Sequence, residues 1–486
     1  MTIRDWRSSA VVSLPLVLLA CAGPVDEGAA ESVDSAAFAL APDATVAAVD
    51  VIDVQVPKRF YVPYTGGAQV EFPDGLPLSL GSGLRLRGER GCGCDDNGAD
   101  GVYTLVGLSD RGPNGDAPDY LDTAGTKHPS KSYLVPSFTP KMVTIEVRRS
   151  GARVTHTQAL SFGREAAVGL PPAALTTEIG VTESLTAYAS SLNGIDPEGI
   201  DFDARGNAWI SEEYGPSLLN VRARSGHITR RLVPGSGLPA ILASRQVNRG
   251  FEGVAVTPSG KVYGLVQSTL DIAGKTKGLA QFIRLVEYDP RSGATRMFAY
   301  PHDVAAYKKS GDAKLGDLFA LDDTRFLTIE GGKGKDGLRN VVYEFDIANA
   351  TDLTGVTLAS GSNAGKELEY GTAAEIAAQI TMAKKTLVAD LRAYGYTAEK
   401  SEGMTLIDDR TLVVINDNDF GATAVIENDA NSSDPTDYVV DSNGVLTFED
   451  APSTGTYAIH AQTADAQRTQ LFVFHLQQPF AGGCGK

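Results

Sequence analysis

The chain has 486 residues, a hydrophobic fraction of 42% and a formal net charge of −17. That length buries a large core, and the acidic balance excludes nucleic acid as a partner and disfavours adsorption to an anionic membrane. Apolar runs long enough to span a bilayer are missing from the interior of the sequence.

The N-terminus, MTIRDWRSSAVVSLPLVLLACAG, places Arg4 and Arg7 before a short apolar segment, the pattern of an export signal over residues 1–21. It closes on Leu18-Leu19-Ala20-Cys21, which resembles a bacterial lipobox and makes Cys21 the expected lipidation site. Membrane attachment through that lipid alone is expected, in the outer membrane, the periplasm or at the cell surface. Residues 22–56 are rich in Ala, Asp, Glu, Ser and Val, and read as a disordered tether. The remaining cysteines, Cys92, Cys94 and Cys484, are odd in number; one disulfide is expected, with the partner of Cys484 left open between the other two.

From residue 57 to about 480 the sequence reads as one domain. Short strand-like runs flank turns at Arg205-Gly206, Ser259-Gly260 and Asp409-Arg410, and each hairpin opens on Glu-Gly: Glu198-Gly199, Glu252-Gly253 and Glu402-Gly403. Paired residues in a hairpin have a constant sum of residue numbers, so Glu252 is expected opposite Gln267, Glu402 opposite Asp417 and Glu198 near Glu212. Two further hairpins fit the scheme, one pairing Asp317 with Glu330 and one bringing Gly83 towards Asp110. Each is followed by more strands, so the fold class is all-β, a β-propeller of four-stranded blades. Five blades are countable; a sixth is expected in 164–197 or in the late insertion, with KRFYVPY (58–64) closing the ring. A helical insertion is predicted over about 373–393 and an irregular acidic one over about 427–465.

In such a ring the starts of the inner strands meet at one mouth of the channel. The glycines allow close backbone approach there, and the carboxylates form a cup. Like charges so gathered need compensation, and hard oxygen donors suit calcium, with magnesium as the alternative. The candidate metal ligands are Asp110, Glu198, Glu212, Glu252, Glu402, Asp417 and Asp419, with Glu213 and Glu330 near the same mouth. Glu252 and Asp417 are the candidate catalytic residues. Arg111 and Arg249, beside Asp110 and Glu252, are candidates to grip an anionic substrate or else to pair with neighbouring carboxylates. Histidines are scattered, and no G-x-S-x-G elbow occurs; GLSDRG with Ser109 misses it by one position.

The segments GLSDRGPN, PEGIDFDARGNAWISEEYGP, NRGFEGVAVTPSGKVYGLVQS, LGDLFALDDTRFLTIE and SEGMTLIDDRTLVVINDNDFG, in that order, resemble the phytase-like domain family over roughly residues 58–476. The resemblance implies an ester hydrolase, acting on phosphate or carboxyl esters. The expected partner is a small anionic ester, and the expected state is a monomer. A metal-dependent lactonase using Glu252 or Glu402 with Asn416 and Asp417, and a noncatalytic binding propeller, are the competing readings.

Overall fold

The computed structural model describes residues 45–87 and 102–480. Cys21, Cys92, Cys94 and Cys484, and most of the expected tether, lie outside the described residues. The architecture is all-β and propeller-like, with five four-stranded antiparallel units. Their innermost strands are Gly83–Leu86, Pro197–Phe202, Phe251–Val256, Lys314–Ala320 and Ser401–Asp408. These strands touch one another in cyclic order, the fifth returning to the first.

The cycle explains Glu-Gly. A β-carbon on Gly253 would stand 2.5 Å from the amide nitrogen of Leu318 on the next inner strand, and one on Gly403 would stand 2.8 Å from the carbonyl carbon of Gly83. No side chain fits between backbones that close. The glutamate in front of each glycine occupies a bulge. The register slips by one between Pro197 and Gly199, between Phe251 and Gly253, and between Ser401 and Gly403. A bulge re-aims the side chain it displaces, here towards the mouth. For the three Glu-Gly hairpins the sums are therefore right to within that one slip: Phe251 pairs with Val266 and Gly253 with Leu265, and Glu252 meets Gln267 through side chains, whereas Gly83 pairs with Leu108, two residues short of Asp110.

Arg85, on the first inner strand, is an axle that holds the ring together. Its guanidinium donates to the carbonyls of Ile200 (2.9 Å), Val254 (2.9 Å), Leu318 (2.8 Å) and Met404 (3.1 Å), one from each of the other four inner strands. Only 3% of Arg85 is exposed, and Asp317 lies 3.5 Å from its Nη2. Carbonyls that would otherwise be orphaned in the closed channel are thus satisfied. Outside the ring, apolar strand faces pack between units; Trp209 meets Tyr288 across one such interface with ring centroids 5.9 Å apart.

Several boundaries differ from expectation. Val46–Gln55, read as tether, is a strand whose pairing with Gln470–Leu476 completes the fifth unit. Val46, Val49 and Val54 are buried, so modest hydrophobicity suffices once a sheet edge is available. It also pairs in parallel with Gly151–Ala159 and fuses the first and fifth units into one eight-stranded sheet. The expected closing segment 58–64 instead holds a short 3-10 turn, Lys58–Phe60. Within the expected helical stretch, α-helix forms over Ala373–Gln379, started by a Thr372–Glu375 capping box, and a 3-10 turn over Leu391–Tyr394. Lys384–Asp390, expected helical, is the fourth strand of the fourth unit, paired with Gly337–Asp346. Tertiary pairing overrides a helix-prone composition there. Residues 164–197 contain the short strands Glu165–Ala166 and Ile179–Val181 and no four-stranded unit. The acidic insertion is ordered: Thr456–Ala461 pairs with Ala422–Glu427, and Tyr438–Asp441 runs parallel to Asp119–Leu121.

Candidate metal and ester site

Glu198, Glu252 and Glu402 come from three different units, and each offers a carboxylate oxygen within 4.8 Å of the others. Glu198 also belongs to a contiguous group with Asp196 and Glu213 on the same spacing. Burial, followed by mutual repulsion, pushes the Glu198 and Glu213 carboxyls well above the usual range. Glu402 is likewise pushed up by burial, against the pull of Lys400. Glu252 is raised to about 7, chiefly by burial, although a hydrogen bond from Gln267 Nε2 at 2.7 Å acts the other way. Asp110 is raised by burial and by Asp417 and Asp196, which places it electrically in the same cup.

Two internal cations flank these acids. On one side Arg111 donates to Glu178 Oε1 (2.9 Å) and Glu213 Oε2 (2.9 Å), and contacts Asp196 and Asn248. It lies over the Tyr214 ring and is 5% exposed. A guanidinium so occupied has no fork left for a substrate, so of the two roles expected for Arg111 the structure shows the pairing one. On the other side Lys400 Nζ lies 2.5 Å from Asp419 Oδ1, 3.2 Å from Asp417 Oδ2 and 3.9 Å from Glu402 Oε1. Burial pushes Asp417 up, but Lys400 and hydrogen bonds from Ser79 Oγ and the Asp419 amide hold it below the ordinary carboxylate range.

Glu252, Gln267 and Glu402 line a cavity of about 330 Å³, with Arg249, Lys314 and Lys400 on its walls. Arg249 Nη1 donates to Ser268 Oγ (3.0 Å) and to the Gly311 carbonyl, both neutral. Lys400, Asp417 and Asp419 also border an adjoining groove of about 750 Å³.

Some expected site residues do not face the cup. Glu212 is fully buried and saturated: it accepts from the amides of Asp196, Tyr214 and Gly215 and from Ser217 Oγ, and Arg231 Nη2 lies 3.3 Å away. Its role is structural, because alternation along the strand turns Glu213, not Glu212, towards the channel. Glu330 accepts from Tyr300 and Tyr307 hydroxyls, the Asp303 amide and Lys385 Nζ. Asn416, wanted by the lactonase reading, is engaged at both ends by the Arg468 carbonyl and the Gln470 amide. Ser109 Oγ accepts from the Lys141 amide. His128, His460 and His475 pair with peripheral carboxylates.

Arg85, Lys400, Asp196, Glu178 and Asn248 were missed as site residues. Lys400 and Asp196 each stand two places ahead of a cup glutamate, in KSEG and DPEG, and strand parity could have pointed to both. Glu178 lies in a loop and carries no such signal.

A family model described as "Phytase-like: Esterase-like activity of phytase" matches residues 100–420. The chain belongs to the phytase-like family. A relative from Arthroderma benhamiae, named "Uncharacterized secreted protein", is 25% identical over 203 residues, covering 33% of this phytase-like chain and 39% of that protein. The phytase-like chain thus spans about two-fifths of the length of the curated relative. Among solved structures, a GH62 hydrolase in complex with xylotriose aligns at a TM-score of 0.33 and 8% identity, over 87% of this chain and 96% of that one. The α-L-arabinofuranosidase PaAbf62A from Podospora anserina aligns at 0.31 and 10%, over 83% and 99%.

Proposed function

We propose that the chain is an exported, metal-dependent ester hydrolase on a five-bladed propeller, acting on phosphate esters at the channel mouth. The observation that carries this reading is the meeting of Glu198, Glu252 and Glu402 from three blades around one point. The donor set fits a hard divalent cation, calcium above magnesium. All three are carboxylates, and Gln267, which lines the same cavity, has a buried Oε1 with no hydrogen-bond partner among the described residues. An amide oxygen left unsatisfied beside three carboxylates is a further ligand in waiting.

Glu198, Glu252, Glu402 and Gln267 Oε1 would hold the ion, with Asp110 in the surrounding field. When bound, such a cation supplies charge to polarise a phosphoryl oxygen and to acidify water. The chain's own groups do the rest. Glu252, raised to about 7 by burial in the ion-free cup, would give up its proton as the cation binds, so that affinity rises with pH across neutrality. Gln267 Nε2 fixes the orientation of its carboxylate. Asp417 stays ionised and clamps Lys400, so its catalytic role is indirect: it holds an ammonium beside Glu402. Family membership supports ester hydrolysis, and the name of the Arthroderma benhamiae relative supports export. The lipobox favours anchoring of a monomer through Cys21.

The test incubates the purified full chain with p-nitrophenyl phosphate, p-nitrophenyl acyl esters and a lactone, with calcium or with EDTA. Calcium-dependent phosphate release, abolished by Glu252→Gln, is expected. Lactone opening without phosphate release would replace this reading by the lactonase one, and inactivity on all three classes would favour a binding propeller.

A further inference from the structure

The cup is acidic, yet the cavity above it has a wall of cations that the carboxylates do not satisfy. Arg249 donates only to neutral oxygens, and Lys308, Lys314 and Lys333 form no ion pair within 4 Å among the described residues. The other acids facing the cavity are Asp312, which accepts from the Lys309 amide, and Glu399. In a chain of formal net charge −17, unpaired cations gathered around one cavity are out of keeping with the rest of the molecule.

The situation of Arg249, the most buried of them, is electrostatically costly. Burial pushes the Arg249 pKa down, only partly offset by Glu213, Asp312 and Glu252. Lys314 stands on the same wall, with its side chain reaching solvent. A wall of cations matched only in part by the acids around it is relieved by an anion from outside. Arg249 also has the planar fork that matches a phosphate edge.

We propose that Arg249, Lys308, Lys314 and Lys333 form an anion subsite that seats a phosphate dianion directly, without a bridging metal ion. The proposal rests on the reading of this cavity as the place where an ester is bound, and it deepens that reading. The phosphate is held by the protein's own cations on the wall, while the glutamates opposite are left for the divalent cation. The two halves of the site therefore bind separately: the acidic floor takes a cation without phosphate, and the basic wall takes phosphate without a cation. It also assigns specificity, since neutral acyl esters and lactones offer this wall nothing to hold.

The test titrates inorganic phosphate into the full-length chain in EDTA, following heat or protection of the thermal transition, and repeats it with Arg249→Gln, Lys314→Gln and the double variant. Saturable binding that weakens with added sodium chloride is expected. Each single variant should weaken it by about tenfold, the loss of one charge-assisted contact. Lys314 is exposed, so Lys314→Gln keeps the fold even if Arg249→Gln does not. Phosphate binding only in the presence of calcium, unchanged affinity in Lys314→Gln, or binding confined to vesicles containing phosphatidic acid would each overturn the proposal. Because the titration is done in EDTA, failure of the glutamates to hold calcium would leave its result intact.

Discussion

Lys400 Nζ stands 3.2 Å from Asp417 Oδ2, joining the two ends of the last inner hairpin by a charge pair at the edge of the cup. The pair makes Lys400 a tethered cation: it neutralises Asp417 and Asp419 from within and leaves the glutamates on the axis for an ion from solution. Lys400→Met should then destabilise the metal-free protein by about 2 kcal/mol, less than a fully buried pair because the lysine keeps a 36% exposed side chain. Calcium should restore more stability to this variant than to the parent, measured by urea unfolding with and without EDTA.

The axle gives a sharper stability prediction. Arg85→Met removes the donors to four inner-strand carbonyls and the counter-ion of Asp317, whose carboxylate keeps only backbone amide donors. A loss of about 3 to 5 kcal/mol is expected, the cost of breaking a buried, hydrogen-bonded charge. Equilibrium unfolding of Arg85→Met beside that of Arg59→Met, at an outer position, would measure it.

Gly253→Ala probes the closed ring by a single methyl. Its β-carbon would meet Leu318 N at 2.5 Å, and backbone on both sides is held by neighbouring strands. A penalty of about 2 kcal/mol is expected from overpacking. Gly206→Ala, where no atom lies within 4 Å of the new β-carbon but φ is +76°, should cost about 1 kcal/mol through backbone strain alone.

The pH dependence has a definite sign. Burial, the dominant cause, raises Glu252 and Asp317 to about 7 each, from ordinary values of 4.5 and 3.8. Between the ordinary and raised values the folded state holds protons that the unfolded state has released, so stability falls as pH rises through that window. For Glu252 the effect is on the order of 3 kcal/mol by pH 7. Without divalent ions, Tm should therefore fall from pH 5 to pH 8. Calcium should raise Tm strongly at pH 8 and little at pH 5, where the cup is protonated.

Much of the fold was legible because its signals are local. The repeated Glu-Gly and the hairpin sums located the inner strands, and the bulge displaced the pairing by a single residue. What escaped depends on distant partners. Val46–Gln55 has no strong strand signature until Gln470–Leu476 offers it an edge, more than four hundred residues away. Lys384–Asp390 looks helical by composition and is strand by pairing. At the site, the repeated Glu-Gly at the start of three hairpins pointed to Glu198, Glu252 and Glu402, whereas the identity of the counter-ions was hidden. Arg111 is neutralised by Glu178 and Asp196 from outside its own hairpin, and Arg85 reads as an ordinary strand residue until four other strands surround it.

The central claim is that cyclic repetition gathers Glu198, Glu252 and Glu402 into one cation-holding cup. Calcium titration of the metal-stripped full-length chain by calorimetry tests it most directly, with Glu198→Gln, Glu252→Gln and Glu402→Gln alongside the parent. The account predicts saturable binding in the parent and a loss of at least about tenfold in affinity in each variant, the worth of one charged ligand. Absence of calcium and magnesium binding in the parent, or equal affinity in all three folded variants, would contradict it.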